Sequence, residues 1–329
     1  MKKEEYLRKL KFQLMDLPGD DLEQIEDFYE ELILDGMEQG YTEEEILAKL
    51  EPAEVVAAKI RAEYGGLVVY TAKGSSQEKG PNGYEASEPI HTIRVETENL
   101  RIRVRTVEEG PVRVFFKPKD GADSVAFEEK DGVFSFRHKM KLKNPLHLNW
   151  LNLFLDFNIL VLEMPMDFAG NLYLKTTNGT IRAAGLGNLA MGEISSSNGK
   201  IRIENSSVCR LNVQSNNAKI ELSNVRGETL EAAAGNGLIT ARECRFDKKF
   251  SLQTQNGAVT GRNIIGDHII LQTSNGFVTA SIIGNQSDYN ITSTTNNGFN
   301  NLENVYDSSR CKSLQAKTHN GRIQIEFTM

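Results

Sequence analysis

The sequence predicts an α+β multidomain chain: a small helical head, then all-β structure that ends in a parallel β-solenoid with coils of about 20 residues. Three observations predict it. The first 64 residues space their apolar positions by three and four, as helices do. From residue 90 the apolar spacing falls to two, as in strands. From about residue 171 one short phrase returns eight times, as TTNGTI, SSNGKI, SNNAKI, AGNGLI, TQNGAV, TSNGFV, TNNGFN and THNGRI. Its asparagines are Asn178, Asn198, Asn217, Asn236, Asn256, Asn275, Asn297 and Asn320, spaced 20, 19, 19, 20, 19, 22 and 23 residues apart.

Residues 1–66 read as an acidic helical domain. Tyr6, Leu7, Leu10, Leu14 and Leu17 mark one face of a first helix, broken at Pro18-Gly19-Asp20. A second helix sets Leu22, Ile25, Phe28, Tyr29, Leu32 and Ile33 opposite Asp and Glu, and Gly36 and Gly40 end it. Thr42 and Glu45 form a capping box, each satisfying the other's exposed amide, and open a short helix through Leu50. Pro52 restarts the chain into a last helix carrying Val55, Val56, Ile60 and Tyr64. This order of KKEEYLRKL, LP, FYEEL, GYTEEEILAKL and EPAEVVAAKI resembles the HAAS family, helical and associated with sensors. The resemblance implies a place in a bacterial sensor system, with a protein partner bound through residues 1–64. HAAS members usually precede transmembrane or sensor segments, whereas this chain continues into β-structure.

Residues 67–89 read as a linker, with Lys73-Gly74-Ser75-Ser76 and Gly80-Pro81-Asn82-Gly83 and few apolar positions. The stretch lacks the Lys-Ser/Thr and following helix of a phosphate loop. Residues 90–170 alternate with a period of two around Ile93, Val95, Ile102, Val104, Val112 and Val114, and are expected to be an antiparallel entry region. Asp131-Gly132 marks a hairpin inside it. Arg137, Lys139, Lys141 and Lys143, with the single tryptophan Trp150, have two readings. They offer a peripheral contact to an anionic membrane or another anion. Alternatively they are the solvated face of a hairpin leading into a buried strand, which the alternation of Leu151, Leu153, Leu155, Phe157 and Ile159 favours.

In residues 171–329 each unit carries apolar residues four before, three after and five after its asparagine, such as Leu174, Ile181 and Ala183. One coil is too thin to bury that face alone and must stack on its neighbours. Asn-Gly in isolation predicts a left-handed type I′ turn; in a 20-residue register it serves equally as a solenoid corner. Stacked corners place the asparagines in a hydrogen-bonded ladder, and the Thr or Ser two positions earlier in a second one. Together with LVLEMP at Leu160–Pro165, this half resembles the putative-adhesin β-strand repeat family of unknown function, over residues 90–329. That likeness implies a solenoid-like domain partnered with envelope-stress or sensor systems, and carries no catalytic residues with it.

The charge is uneven. Residues 1–64 hold 8 Lys and Arg against 18 Asp and Glu, so the rest of the chain is close to neutral, which argues against nucleic-acid binding. Cys209, Cys244 and Cys311 lack metal or disulfide spacing. MKKEEYLRKL has no apolar signal segment and no apolar run spans a membrane, so the expectation is a cytoplasmic protein with an option of membrane association. Asp247, Asp267, Asp288 and Asp307 fall at coil spacing in turns, where Asp is favoured for local backbone bonds. No nucleophile motif appears, and no cofactor or metal is expected. The function this supports is a non-catalytic interaction scaffold of a signalling or envelope-stress system, its head on a protein partner and its solenoid presenting a ligand-binding surface. The alternatives are an envelope-associated adhesin or glycan-binding protein and, third, a polysaccharide-acting enzyme. An unpaired last coil is expected to leave an open end available for homo-oligomerisation.

Overall fold

The computed structural model describes residues 2–15, single positions between 22 and 37, and residues 41–64, 68–71, 89–116, 123–140 and 159–328. The described residues form two compact units, a helical one within residues 1–67 and a β one from Val68 onward.

The helical unit contains α1 (Lys3–Gln13), α2 (Glu43–Lys49) and α3 (Ala53–Tyr64). The described positions between 22 and 37 are also helical. Tyr6, Leu10, Leu14, Ile25, Tyr29, Ile33, Ile46, Val56 and Ile60 form its core, as their spacing requires. Tyr6 and Tyr29 pack with ring centroids 5.9 Å apart, and the Tyr6 hydroxyl donates to the Glu51 carbonyl at 3.0 Å. The capping box forms as the sequence predicts, with Thr42 N–H donating to Glu45 Oε2 at 2.9 Å and Glu45 N–H to Thr42 Oγ1 at 3.3 Å. Val55 differs from expectation and is exposed, because the buried face of α3 runs through Ala53, Val56, Ala57 and Ile60 and Val55 lies off it.

The β unit is a parallel β-solenoid. Its coils are built from β2 (Thr92–Glu96), β3 (Arg101–Val107), β8 (Asn171–Thr176), β9 (Ile181–Ala184), β10 (Asn188–Ser196), β11 (Ile201–Ser215), β12 (Ile220–Ala234), β13 (Ile239–Arg242), β14 (Arg245–Thr254), β15 (Val259–Gln272), β16 (Val278–Ile283), β17 (Tyr289–Asn297), β18 (Lys312–Asn320) and β19 (Ile323–Thr328). Inward columns stack in register: Ile181, Ile201, Ile220, Ile239, Val259, Val278 and Ile323 pair in turn and are 0–1% exposed. Large and small residues alternate elsewhere in the core. Phe246 lies between Gly227 and Gly266 and meets Phe250 edge-on at 6.0 Å.

Three features depart from the sequence expectation. The start of the expected linker, Val68–Thr71, is a strand, because its backbone pairs antiparallel with Arg113–Phe116. The antiparallel entry region over 90–170 is antiparallel only in part. β2 pairs in parallel with both β8 and β6 (Val133–Met140), and β3 with both β9 and β7 (Ile159–Pro165), so in chain order the solenoid begins at Thr92. The physical reason lies at Thr97-Glu98-Asn99, followed by Ile102, which reproduces the repeat without its glycine and makes a first coil. Antiparallel pairing belongs to β4 (Arg113–Phe116) with β1 (Val68–Thr71) and with β7, and to the hairpin of β5 (Asp123–Lys130) and β6. Asp131 and Gly132 turn that hairpin at φ of 50° and 69°, the conformation Asp-Gly predicts.

The order of the last coils also departs. β18 lies between β15 and β17, and β19 pairs with β16, so the coil of Asn320 is inserted between those of Asn275 and Asn297. The C-terminal coil is therefore inside the stack and is not the open edge expected. Residues 298–311 fold over the outermost edge instead. Ile291 and Val305 exchange backbone bonds at 2.8 and 2.9 Å. The Asn301 side chain donates to the Ile325 carbonyl at 2.8 Å and accepts from its N–H at 2.9 Å, standing in for a missing strand.

Candidate functional site

The asparagine corners form one continuous ladder in which each side-chain amide donates to the carbonyl of the rung before. The bonds run from Asn178 to Asn99 (2.6 Å), Asn198 to Asn178 (2.7 Å), Asn217 to Asn198 (2.8 Å) and Asn236 to Asn217 (2.7 Å). They continue from Asn256 to Asn236 (2.9 Å), Asn275 to Asn256 (2.8 Å), Asn320 to Asn275 (2.8 Å) and Asn297 to Asn320 (2.8 Å). All eight predicted asparagines belong to it. Asn99 is a ninth rung outside the Asn-Gly series, although Thr97 and Ile102 keep the phrase around it.

The second expected ladder takes a different form. The bonds formed run instead to the corner carbonyl of the coil below, as Ser196 to Gly179 (3.2 Å), Thr254 to Gly237 (2.9 Å) and Thr273 to Gly257 (2.8 Å), and Ala234 interrupts the column. Thr176, Ser196 and Ser215 also accept from their own corner amides, from Gly179 (3.1 Å), Gly199 (2.9 Å) and Ala218 (3.0 Å). These hydroxyls are buried, so both bonds are needed to offset their desolvation. The corner glycines answer to spacing more than to handedness. A Cβ on Gly199 would stand 1.8 Å from the Gly179 carbonyl oxygen, and only Gly298 among them has positive φ. Left-handed backbone occurs at a second corner seven residues on, at Gly185, Asn205, Asn224, Glu243 and Asn263, with φ of 47–68°.

On the outward side of the strands entering the asparagine corner lies an open cleft of about 690 Å³. Four neighbouring coils line it. Ala233 and Ala234 give a low floor, Gln253, Gln255, Gln272 and Asn275 supply amides, Ser274 a hydroxyl, and Lys317 and His319 close one side. Among the described residues no carboxylate lines it, and its amides offer both donors and acceptors beside the Lys317 cation. The reverse face, after the corner, is strongly charged but paired. Glu204 accepts from Arg182 at 3.1 Å, and Glu221 gathers Lys219, Arg202 (3.0 Å) and Lys200 (3.2 Å). Burial pushes the Glu221 carboxyl up, yet hydrogen bonds from Lys219 and Arg202 and the charge of Lys200 prevail and hold it at about 2.

The remaining predicted residues are dispersed. Arg137 and Lys139 point outward from β6, with Arg137 3.5 Å from Glu96, while His138 between them is buried against Phe116 at 5.0 Å. Lys141, Lys143 and Trp150 lie outside the described residues. The turn aspartates do not converge: Asp247 pairs with Arg245 (2.8 Å) and Asp267 with Lys312 (3.3 Å), while Asp307 accepts from Ser309 (2.9 Å). Among the described residues no three His, Cys, Asp or Glu side chains gather as a metal site. No helix among them is long and apolar enough to cross a membrane. All three cysteines are free, and burial pushes the Cys244 thiol up to about 11.

A short helical domain ahead of a laddered parallel solenoid defines a repeat protein of modular build. The chain belongs to the Toastrack DUF4097 family, whose model matches residues 117–303, and it carries a HAAS domain matched over residues 5–59. Both resemblances read from the sequence are thereby confirmed. No curated protein matches the chain. A crystal structure of a putative cell adhesion protein from Clostridium sporogenes aligns with 80% of this chain and 99% of its own, at 12% identity and a TM-score of 0.29, a level that supports no inference.

Proposed function

We propose that this chain is a non-catalytic scaffold of a bacterial signalling or envelope-stress system, in which the HAAS head binds a protein partner and the solenoid presents the amide-lined cleft to a ligand. The observation that carries the ligand half is that cleft, with four amide side chains, Lys317 and His319 on a stacked scaffold and no carboxylate among its described lining residues. The head has exposed apolar side chains at Phe12 and Met15, 67% and 62% exposed on and just after α1, which suit a protein contact. A cytoplasmic location with membrane association through its partner fits the signalling reading.

A second reading, glycan binding at an envelope, is favoured by the same cleft, since amides bond hydroxyls in both directions. Capture from native cells with the full-length protein separates the two. The scaffold reading expects a sensor or regulator to be recovered, and lost with a Phe12→Ser/Met15→Ser variant but kept with Gln253→Ala/Gln272→Ala. Recovery of wall glycan alone, lost with the glutamine variant, overturns the scaffold in favour of the second reading.

A further inference from the structure

We propose that Asn297 is a site of spontaneous covalent modification, deamidation to aspartate and isoaspartate, from which the ladder protects the other corner Asn-Gly pairs. Seven rungs carry this dipeptide: Asn178, Asn198, Asn236, Asn256, Asn275, Asn320 and Asn297. Asn-Gly is the pair most open to ring closure, because glycine places no side chain over its own nitrogen. The glycine nitrogen gives up its proton and attacks the asparagine Cγ. A C–N bond forms, the Cγ–Nδ2 bond breaks, and ammonia leaves with the proton. Water then opens the succinimide at either carbonyl. The net change is amide plus water to carboxylic acid plus ammonia.

Three observations single out one rung. Asn178, Asn198, Asn236, Asn256, Asn275 and Asn320 each donate to one neighbour and accept from another, so their amide groups are held at both ends. Asn297 is the outermost rung: its amide donates to Asn320 at 2.8 Å, and among the described residues no further rung stands beyond to hold its carbonyl. The glycine nitrogens differ as well. Gly179, Gly199 and Gly237 are buried residues and Gly257, Gly276 and Gly321 half-buried, whereas Gly298 is an exposed residue, on the side from which a base must come. Gly298 also has its own backbone conformation, at φ 158°. Ring closure requires the side chain and the following nitrogen to rotate toward each other, which the stacked corners prevent by fixing both.

The consequence is local. Asn297 leads directly into the edge cap of residues 298–311. An acid there loses the donor to Asn320, and an isoaspartyl link lengthens the backbone by one methylene where the cap begins.

The test holds the full-length protein in mildly alkaline buffer, digests it at intervals, and follows amide-to-acid conversion and isoaspartate at each Asn-Gly peptide. A parallel sample is held in urea. The expected result is conversion at Asn297 about tenfold or more faster than at Asn178, Asn198, Asn236, Asn256, Asn275 and Asn320 in the native protein, the factor that ~1.4 kcal/mol of local opening cost gives. In urea the rates converge. Equal rates in the native protein overturn the proposal. So does the same excess at Asn297 in urea, which would assign it to the local sequence and not the fold. Asn82-Gly83, outside the described residues, is followed separately. An Asn297→Gln variant with unchanged circular dichroism is expected to remove the fast component, and its persistence also overturns the proposal.

Discussion

At one corner of each coil, asparagine keeps ordinary backbone angles and holds hands with its neighbours along the whole stack. At the other corner, seven residues on, Asn205, Asn224 and Asn263 sit at φ of 47–53°, and the hydrogen-bonded column is broken. Asn224 reaches Asn205 at 2.9 Å and Asn263 reaches Glu243 at 2.6 Å, while Gly185 has no side chain to offer. The first corner selects Asn for its amide and Gly for room. The second selects whatever tolerates left-handed backbone, Asn foremost. One residue type thus serves two physical needs within the same coil, and substitutions should separate them.

The largest effect is expected where room is shortest. Gly237→Ala places a Cβ 2.0 Å from the Ala218 carbonyl oxygen, so the coils must part. A loss of about 3 kcal/mol is expected in chemical denaturation, at the upper end for overpacking. The natural Ala218 shows that one coil can absorb the change, so Ala218→Gly should be close to neutral. Next comes the charged face. Glu221 has its folded pKa lowered from 4.5 to about 2, so its pairing stabilises the fold fully above pH 4.5 and is lost as pH falls toward 2. Glu221→Gln should remove ~2 kcal/mol at neutral pH and flatten the stability profile across that window. Thr254→Val removes the hydroxyl that donates to Gly237 at 2.9 Å and leaves a buried carbonyl, for about 1–2 kcal/mol. Heat-unfolding midpoints of the pair would read it.

How much of this was legible follows the same division. The inward columns and eight of nine ladder rungs stood in the sequence, because a stacked coil repeats its local needs at a fixed spacing. Asn99 was hidden since Leu100 replaces glycine. Glycine is demanded by the carbonyl of the coil on which it stacks, as at Gly179, where a Cβ would stand 1.8 Å from the Leu100 carbonyl oxygen. The same fact explains why Asn-Gly suggested a left-handed turn: the reason for glycine lies in the neighbouring coil, not in the dipeptide. The inserted last coil was unreadable for a related reason. The rungs are interchangeable in chemistry, so the letters carry no record of which rung meets which, and only the longer spacings of 22 and 23 residues hinted at an irregular end. The cleft is a matter of absent side chains, where Ala233 stands in register with Gln214 and Gln253 on either side. Periodicity reports shared residues and is silent about gaps.

The most direct test of the two-corner account compares two substitutions of the same kind in one coil pair, Asn236→Gly and Asn224→Gly, by denaturant unfolding. The account predicts that Asn236→Gly costs about 1–2 kcal/mol, through its two ladder bonds, while Asn224→Gly changes stability by only a few tenths, since glycine adopts the left-handed corner without strain. Equal losses at both positions would contradict it, and would mean that the ladder and the left-handed corner draw on asparagine for the same reason.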